Sequence, residues 1–550
     1  MKRWGIFFLL VGTVWAQPMK WETWEPAVFE RARREKRYVL LEMEAVWCHW
    51  CHVMEETTYK DPEVLDKLGE HYITVKVDQD ARPDLSNRYE EYGWPATVIF
   101  SPEGQEIVCL TGYVAPRRMA AILQGVVDDP SPIARLAPLP PAGAGLMTEK
   151  LRAQAEELHF SHFDYQNGGY SFQHKFLNWN SCEYSLRLAL GGDARSAQMA
   201  RLTLDGQLHL VDPVWGGVYQ YSTDNDWVHP HFEKIMEHQA NNLRLFTLAA
   251  RYFGEPRYQQ AADRIASYLL NFLRSPEGAF YTSQDADLVK GEHSAEYFAL
   301  DDKGRRALGM PAIDKHCYAR ETAWAAEALL LYGDEASART AMEWVVRERS
   351  LAGGGYRHSS DQAGVYLGDT LACGRAFLAL YERTGEQRWL ELAVAAADFL
   401  GKHFVVAGRA GLATAVLSSP LDRLSYVRDE NVAAARFFNL LWHYTQREGD
   451  RRLRDQALGY LALPEVALEF NTGGGLLADL ESRRDPIHFT LGGGVPLAVS
   501  GYPCFYRMVT RAEAPPGVLV CDDRGVCSRP FQEAGALAQY LKGLLRSAAR

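Results

Sequence analysis

A chain of 550 residues exceeds what one hydrophobic core usually holds, so at least two domains are expected. With 47% hydrophobic and 23% charged residues the composition is that of a folded protein and argues against wholesale disorder. Its 59 basic and 70 acidic residues give a net charge of −11 without a long basic run, which argues against a nucleic-acid surface, and nine cysteines are too sparse for a disulfide scaffold.

Lys2 and Arg3 precede an apolar run from Trp4 to Val14, and Val14-Trp15-Ala16 offers small residues for cleavage before Gln17. The run is about eleven residues, short of the ~20 that span a bilayer as a helix. A secretory signal over residues 1–16 is expected, with an uncleaved anchor as the alternative. The protein is therefore expected to be exported, periplasmic or extracellular, with no stable membrane span after cleavage and no cysteine after the cleavage site to carry a lipid. An oxidising compartment favours a cysteine pair that cycles or stays oxidised.

Residues 37–46 predict a buried strand that ends just before Cys48-His49-Trp50-Cys51. A helix is expected from Val53 to His71, with Val64, Leu65 and Leu68 on one face, and a second strand from Tyr72 to Asp78. Trp94-Pro95 opens a third strand ending at Phe100, Ser101–Gly104 is its turn, residues 105–110 return antiparallel, and a helix follows at about 116–127. This element order predicts an α/β thioredoxin-like domain over residues 17–129. A Pro/Ala/Gly linker at 130–146 follows, with five prolines from Pro130 to Pro141.

Beyond the linker, long helical stretches alternate with six segments in which Gly precedes an aromatic or apolar residue: Gly168-Gly169-Tyr170, Gly216-Gly217-Val218, Gly278-Ala279-Phe280, Gly354-Gly355-Tyr356, Gly411-Leu412 and Gly474-Gly475-Leu476. Their spacing of roughly 50 to 75 residues leaves room for a helical hairpin each. An all-α (α/α)6 toroid is predicted over 147–515, its inner helices burying small residues; an irregular helical domain is the alternative. Residues 516–550 read as a hairpin and a terminal helix, and Cys521 and Cys527, flanking Asp522-Asp523-Arg524-Gly525, are candidates for a structural disulfide or a second redox pair. Cys109, Cys182, Cys317, Cys373 and Cys504 stand alone and read as small buried hydrophobes.

A Cys-x-x-Cys at a strand-to-helix junction gives Cys48 the free amides and positive end of a helix, which stabilise a thiolate. Cys48 is then the attacking sulfur and Cys51, one turn on, the resolving one. His49 can add positive charge beside the sulfur. Glu42, six residues before Cys48, is either a buried proton acceptor or an exposed carboxylate on the opposite strand face. Pro95 lies 44 residues after Cys51, where a thioredoxin fold places a cis-proline loop. The same residues with His52 spell a c-type haem attachment motif, and a zinc site is a further reading. No other haem-domain feature accompanies the motif, and tetrahedral zinc usually draws ligands from two separated motifs. A redox-active disulfide with no metal and no further cofactor is therefore expected, with a purely structural disulfide as the alternative.

Trp47-Cys-His-Trp-Cys-His-Val-Met-Glu55, Val75-Lys-Val-Asp78, Arg82-Pro83-Asp84 and Gly93-Trp94-Pro95-Ala-Thr-Val resemble the spermatogenesis-associated thioredoxin-like proteins and their bacterial relatives. Trp215-Gly-Gly-Val-Tyr-Gln-Tyr-Ser222, Pro230-His-Phe-Glu-Lys-Ile-Met236 and Tyr281-Thr-Ser-Gln-Asp-Ala-Asp287 resemble that family's helical domain in the same order. The resemblance, from about residue 20 to 530, implies a thioredoxin-like domain joined to a barrel similar to N-acylglucosamine 2-epimerases and six-hairpin glycosidases. It implies no settled reaction. The sequence departs from the family after Asp314-Lys315, where His316-Cys-Tyr-Ala-Arg-Glu-Thr322 stands in place of the usual Ser-Trp-Asn stretch, and at Gln284, where the family carries an acid.

In the barrel, Asp226, Trp227, His229, His231, Glu233, Tyr281, Asp285 and Asp287 are candidates for one cavity at the mouth. Paired carboxylates suit glycoside hydrolysis, and a histidine with a second base suits epimerisation. For each residue a structural role competes, such as helix capping by His231 and Glu233 near Phe232 or turn ordering by Asp285 and Asp287. The reading that best joins these features is an exported thiol-disulfide oxidoreductase acting on protein thiols or disulfides or on a redox partner, fused to a domain that binds or processes carbohydrate. The alternatives are a sugar epimerase or glycosidase with a regulatory thioredoxin-like domain, and a non-catalytic adaptor.

Overall fold

The computed structural model describes residues 19–133, 139–143, 145–170, 173–360, 364–492, 506–512 and 516–548. The expected signal peptide and Cys504 lie outside them, as does part of the expected linker. The chain forms two compact units, one of residues 1–45, 50–78 and 91–135, the other of 46–49, 79–90 and 136–550.

The N-terminal region runs α1 (Pro26–Glu35), β1 (Tyr38–Glu44), α2 (His49–Glu56), α3 (Pro62–His71), β2 (Tyr72–Asp78), α4 (Pro83–Tyr89), β3 (Ala96–Phe100), β4 (Glu106–Thr111) and α5 (Pro116–Asp128). The sheet order is β2-β1-β3-β4, with β2 parallel to β1 and β3 and β4 antiparallel to their neighbours. β1 and β3 are buried on both faces, which explains their near-continuous apolar sequences. Leu40, Ile99, Leu68, Met119 and Leu123 meet in the core beside the sheet. The single helix expected over 53–71 is broken. Pro62 has no N–H to continue it and holds Asp61 extended, and the Asp61 carboxylate accepts from the Glu63 and Val64 amides to begin α3 afresh.

The second unit contains α6 (Glu149–Ser161), α7 (Trp179–Leu190), α8 (Ala194–Gln207), the short strands β5 (Tyr221–Ser222), β6 (Pro230–His231) and β7 (Lys234–Ile235), α9 (Met236–Phe253) and α10 (Pro256–Tyr268). It continues with β8 (Ser283–Gln284), α11 (Ala295–Phe298), α12 (Asp302–Leu308), β9 (Ile313–Asp314), α13 (Ala319–Tyr332), α14 (Glu335–Arg349), α15 (Leu367–Thr384), α16 (Gln387–His403), α17 (Arg428–Thr445), α18 (Glu448–Leu461), α19 (Pro464–Ala467) and α20 (Gly473–Ser482). Neighbour contacts run α7, α9, α13, α15, α17, α20 and back to α7, so six inner helices close a ring. Five of them pair with the helix that follows, and α20 pairs with α6 from the start of the unit, completing the (α/α)6 toroid.

Five of the six glycine segments are tight hairpins closed by the bridges Phe163–Tyr170, Val211–Val218, Arg274–Phe280, Ser350–Tyr356 and Val405–Leu412. Gly216, at φ 74°, shows why the residue is needed, because an added Cβ would lie 2.2 Å from the Arg264 carbonyl oxygen on α10. The sixth segment differs from expectation. Gly473, Gly474 and Gly475 open α20, and a Cβ on Gly473 would sit 2.5 Å from Ser181 Cα, so glycine there lets α20 pack closely on α7 and close the ring.

The C-terminal part adds β10 (Ile487–Gly492), β11 (Arg507–Ala512), β12 (Val518–Cys521) and α21 (Ala534–Ala548). β10 and β11 begin inside the range expected to be barrel. Phe489, Val509 and Val520 of the sheet pack with Leu537 and Leu541 of α21. Cys521 and Cys527 are joined by a disulfide around a turn in which the Asp522 carboxylate accepts from the Arg524 and Val526 amides.

The inner helices bury small residues such as Ala326, Ala372, Ala376 and Ala435, but they also carry a charged layer. Glu183 of α7 accepts from Arg244 of α9 and from Arg436 of α17 at 2.6 Å, Arg436 reaches Glu481 of α20 at 2.8 Å, and Arg375 of α15 meets Glu327 of α13 at 2.8 Å. Arg244, Glu327, Arg375 and Arg436 each line two cavities, of about 220 Å³ toward the helix N-termini and about 290 Å³ toward the C-termini, so the layer divides the lumen. Burial works to raise the Glu183 carboxyl, and the two guanidinium groups outweigh it and hold it well below the ordinary range. Its contribution is therefore present at neutral pH and fades only in strong acid. Arg436→Ala is expected to cost about 3–5 kcal/mol of unfolding free energy by leaving Glu481 unpaired and Glu183 half-paired. Chemical unfolding followed by far-UV circular dichroism measures it, and a loss below about 1 kcal/mol would show that the layer is dispensable.

Candidate redox and lumenal sites

β1 ends at Glu44 and α2 starts at His49, so Cys48 sits directly at the head of the helix. Cys48 and Cys51 form a disulfide and are 4% and 3% exposed, while Trp50 between them is exposed. The Trp94–Pro95 bond is cis and leads into β3, where Pro95 is buried and its carbonyl accepts from Gly112 N–H. Glu42 is buried within β1. It accepts from Thr97 Oγ1 at 3.0 Å on β3 and from the Tyr59 hydroxyl. Burial pushes its carboxyl up to about 8, against the lowering effect of the two hydroxyls.

Within the second unit, His49 Nδ1 and Asp287 Oδ1 are 2.7 Å apart, and the His49 amide donates to Glu233 Oε1 at 3.4 Å. Asp287 also accepts from Gly291 N–H, and Asp285 accepts from Asp287 N–H, so both order the turn after β8. His231 stacks on Tyr221 with centroids 4.3 Å apart and lies 3.9 Å from Glu233. Neither His231 nor Glu233 caps a helix at Phe232. They belong to a short extended stretch, and the helix begins at Met236. Asp226 holds a turn by accepting from Ser222, Val228 and His229, Trp227 is buried over Gly206 with its indole N–H on the Asn167 carbonyl, and His229 is exposed. Tyr281 packs at the edge of the barrel core. None of these eight residues lines either lumenal cavity.

The 220 Å³ cavity is lined instead by Trp179, Asn180, Glu237, Arg320, Trp324 and Glu430, all on the first turns of inner helices or one turn further in. Burial lifts the Glu237 carboxyl to about 8 and the Glu430 carboxyl to about 7, with Arg320 opposing both. Thr414 donates to Glu430, and the Arg320 guanidinium lies 4.7 Å over the Trp324 ring. The cavity thus holds two carboxyl groups tuned near neutral pH between aromatic walls. The sequence carried a signal for them, an acid in the first turn of α9, α13, α15 and α17, which passes for ordinary helix-dipole decoration.

Glu42 binds its proton more tightly in the folded state, so the native chain holds more protons than the unfolded one between the ordinary Glu value and about 8. Stability of the thioredoxin-like unit should fall across that window by roughly 1.4 kcal/mol per pH unit, and Glu42→Gln should flatten the fall. Thermal midpoints from pH 5 to 9 measure this, and parallel curves for both proteins would contradict it.

Residues 9–128 match the family Thioredox_DsbH, described as "Protein of unknown function, DUF255". Spermatogenesis-associated protein 20 of Mus musculus is 30% identical over 344 residues, covering 54% of this chain and 43% of that protein. The chain spans less than half the length of such curated relatives. Thiol:disulfide interchange protein DsbD 2 of Pseudomonas aeruginosa is 35% identical over 89 residues, 15% of each chain. Cellobiose 2-epimerase from Bacillus thermoamylovorans aligns with 57% of this chain and 86% of its own at a TM-score of 0.44 and 13% identity. The chain is a thioredoxin-like domain with a Cys48–Cys51 disulfide fused to a six-hairpin helical toroid, and it is similar to the spermatogenesis-associated thioredoxin-like proteins, as its motifs implied.

Proposed function

We propose that this protein is an exported thiol-disulfide oxidoreductase, working through Cys48 and Cys51 on protein thiols or disulfides or on a redox partner. The observation that carries the reading is the disulfide at the head of α2. Reduction of a substrate disulfide by the dithiol form begins with attack of the Cys48 thiolate, which the helix N-terminus stabilises. The mixed disulfide is resolved by Cys51, which releases the substrate as a dithiol and restores the Cys48–Cys51 bond, two electrons and two protons passing to the substrate. The reverse sequence oxidises a dithiol substrate. Similarity to a protein named for thiol:disulfide interchange supports the same chemistry. On this reading the Cys-x-x-Cys-His motif serves disulfide exchange and holds neither haem nor zinc. Export rests on residues 1–16, and no helix among the described residues is long and apolar enough to cross a membrane.

Cys48→Ser is expected to abolish turnover of a model protein disulfide such as insulin with dithiothreitol as reductant, and Cys51→Ser to accumulate a mixed disulfide visible by mass spectrometry. Full turnover by Cys48→Ser would overturn the assignment.

A second reading, of carbohydrate bound or processed in the lumen, is favoured by Glu237 and Glu430. Carboxyls near 8 and 7 supply, around neutral pH, one group that holds a proton and one that is partly ionised, as acid-base chemistry on a sugar requires. Trp179 offers an aromatic wall to a ring. Glu237→Gln should lower sugar turnover by about 100-fold or more without changing the insulin assay. Unchanged sugar turnover in that variant, or none in the unmodified protein across neutral hexoses and disaccharides, would reject catalysis at this site.

A further inference from the structure

Outside the cysteine site and the two cavity carboxyls, one cluster stands out at the N-terminal end of the ring. Glu321 in the first turn of α13, Asp369 in the first turn of α15 and His358 on the segment between α14 and α15 each offer a ligand atom, all within 4.8 Å of one another. The three residues are 3%, 1% and 0% exposed. Glu321 Oε1 accepts from Arg320 Nε and Nη2 at 2.9 and 2.7 Å, and Asp369 Oδ1 accepts from the Arg320 amide at 3.0 Å. The second oxygen of each carboxylate, Glu321 Oε2 and Asp369 Oδ2, is buried without a hydrogen-bond partner.

His358 is held from both sides. Its Nε2 lies 2.7 Å from the Asp80 carbonyl oxygen, to which it can only donate, and Tyr318 stacks on the ring with centroids 4.0 Å apart. That donation leaves Nδ1 facing Asp369 Oδ1 at 2.9 Å, and a lone pair and a carboxylate oxygen stay so close only with a cation between them. A proton on Nδ1 meets that need for Oδ1 but does nothing for the two orphaned oxygens. A metal ion meets all of it, and an imidazole oriented by a backbone carbonyl on its far nitrogen is the usual support of a metal ligand. Charge agrees: once His358 Nδ1 gives up its proton, two carboxylates face one guanidinium, which leaves a negative site for a cation. Arg320 and Gly368, on the same first turns, line the 220 Å³ cavity, which gives an ion a route in.

We propose that Glu321, His358 and Asp369 bind one divalent transition-metal cation beside the lumenal cavity. One imidazole and two carboxylates suit zinc or manganese. The ion replaces the proton on His358 Nδ1, which passes to solvent, and is held by the Asp369 and Glu321 carboxylates.

The full chain, stripped with a chelator, is titrated separately with Zn²⁺ and Mn²⁺ by calorimetry in two buffers of different protonation enthalpy. One equivalent is expected to bind with release of a proton. The Glu321→Gln/Asp369→Asn double variant, checked for fold by circular dichroism, is expected to bind about 100-fold more weakly or less, and if it does not fold, Asp369→Asn alone should lose at least tenfold. Equal affinity in the variant would place the metal elsewhere on the protein. No saturable binding of either ion by the unmodified chain would leave His358 a protonated partner of Asp369 and overturn the proposal.

Discussion

Closing a ring of six helices leaves an axial space that side chains must fill or divide, and here the division is ionic. Glu183 sits at its centre, reached by Arg244 and Arg436 from two other inner helices, with Glu481 completing the pairing of Arg436. Desolvating such groups costs several kcal/mol each, which an apolar layer would avoid. Charged pairs have directional hydrogen bonds, however, and tie α7, α9, α17 and α20 in one register, including the joint where the last helix returns to the first. The two lumenal cavities exist because this layer separates them.

The N-terminal ends of the inner helices then set the chemistry of one cavity. A carboxylate in a first turn gains about 0.3–1 kcal/mol from the helix dipole, which lowers its pKa when it is exposed to water. Glu237 and Glu430 show the opposite direction, because removal from water opposes ionisation more strongly than a dipole and one guanidinium favour it. The same sequence feature therefore has opposite consequences on the surface and in the lumen. Asp369 and Glu321 occupy the same first-turn positions on α15 and α13 and have direct partners in His358 and Arg320.

How much of this was legible in the sequence follows from the range of the forces involved. β2 was readable to the residue because the pattern of Tyr72–Asp78 is local, and the same holds for the cysteine pair at a strand-to-helix junction. The break at Asp61-Pro62 is equally local but is masked by the stronger 3.6-residue apolar pattern of Val64, Leu65 and Leu68. Gly473–Gly475 could not be told from the hairpin glycines, because its role depends on α7, almost 300 residues earlier, approaching within van der Waals contact. The barrel candidates are polar residues of loops, and polar loop residues mostly satisfy one another, as Asp226, Ser222 and His229 do. The lumenal carboxyls are masked in the sequence because single acids at helix starts have an ordinary explanation.

The environment of Cys48 shows how such local rules interact. A lone histidinium beside a cysteine favours its thiolate and makes the disulfide easier to reduce, which strengthens the pair as an oxidant. His49 is not lone: its Nδ1 lies 2.7 Å from Asp287, and Glu233 accepts from its backbone amide. Any positive charge on the ring is thus offset by a carboxylate in direct contact, and a second carboxylate stands near the same backbone. The helix N-terminus also favours the thiolate, and burial of the sulfur opposes it. The histidine in the motif therefore supplies less net positive charge beside the sulfur than the motif read alone implies.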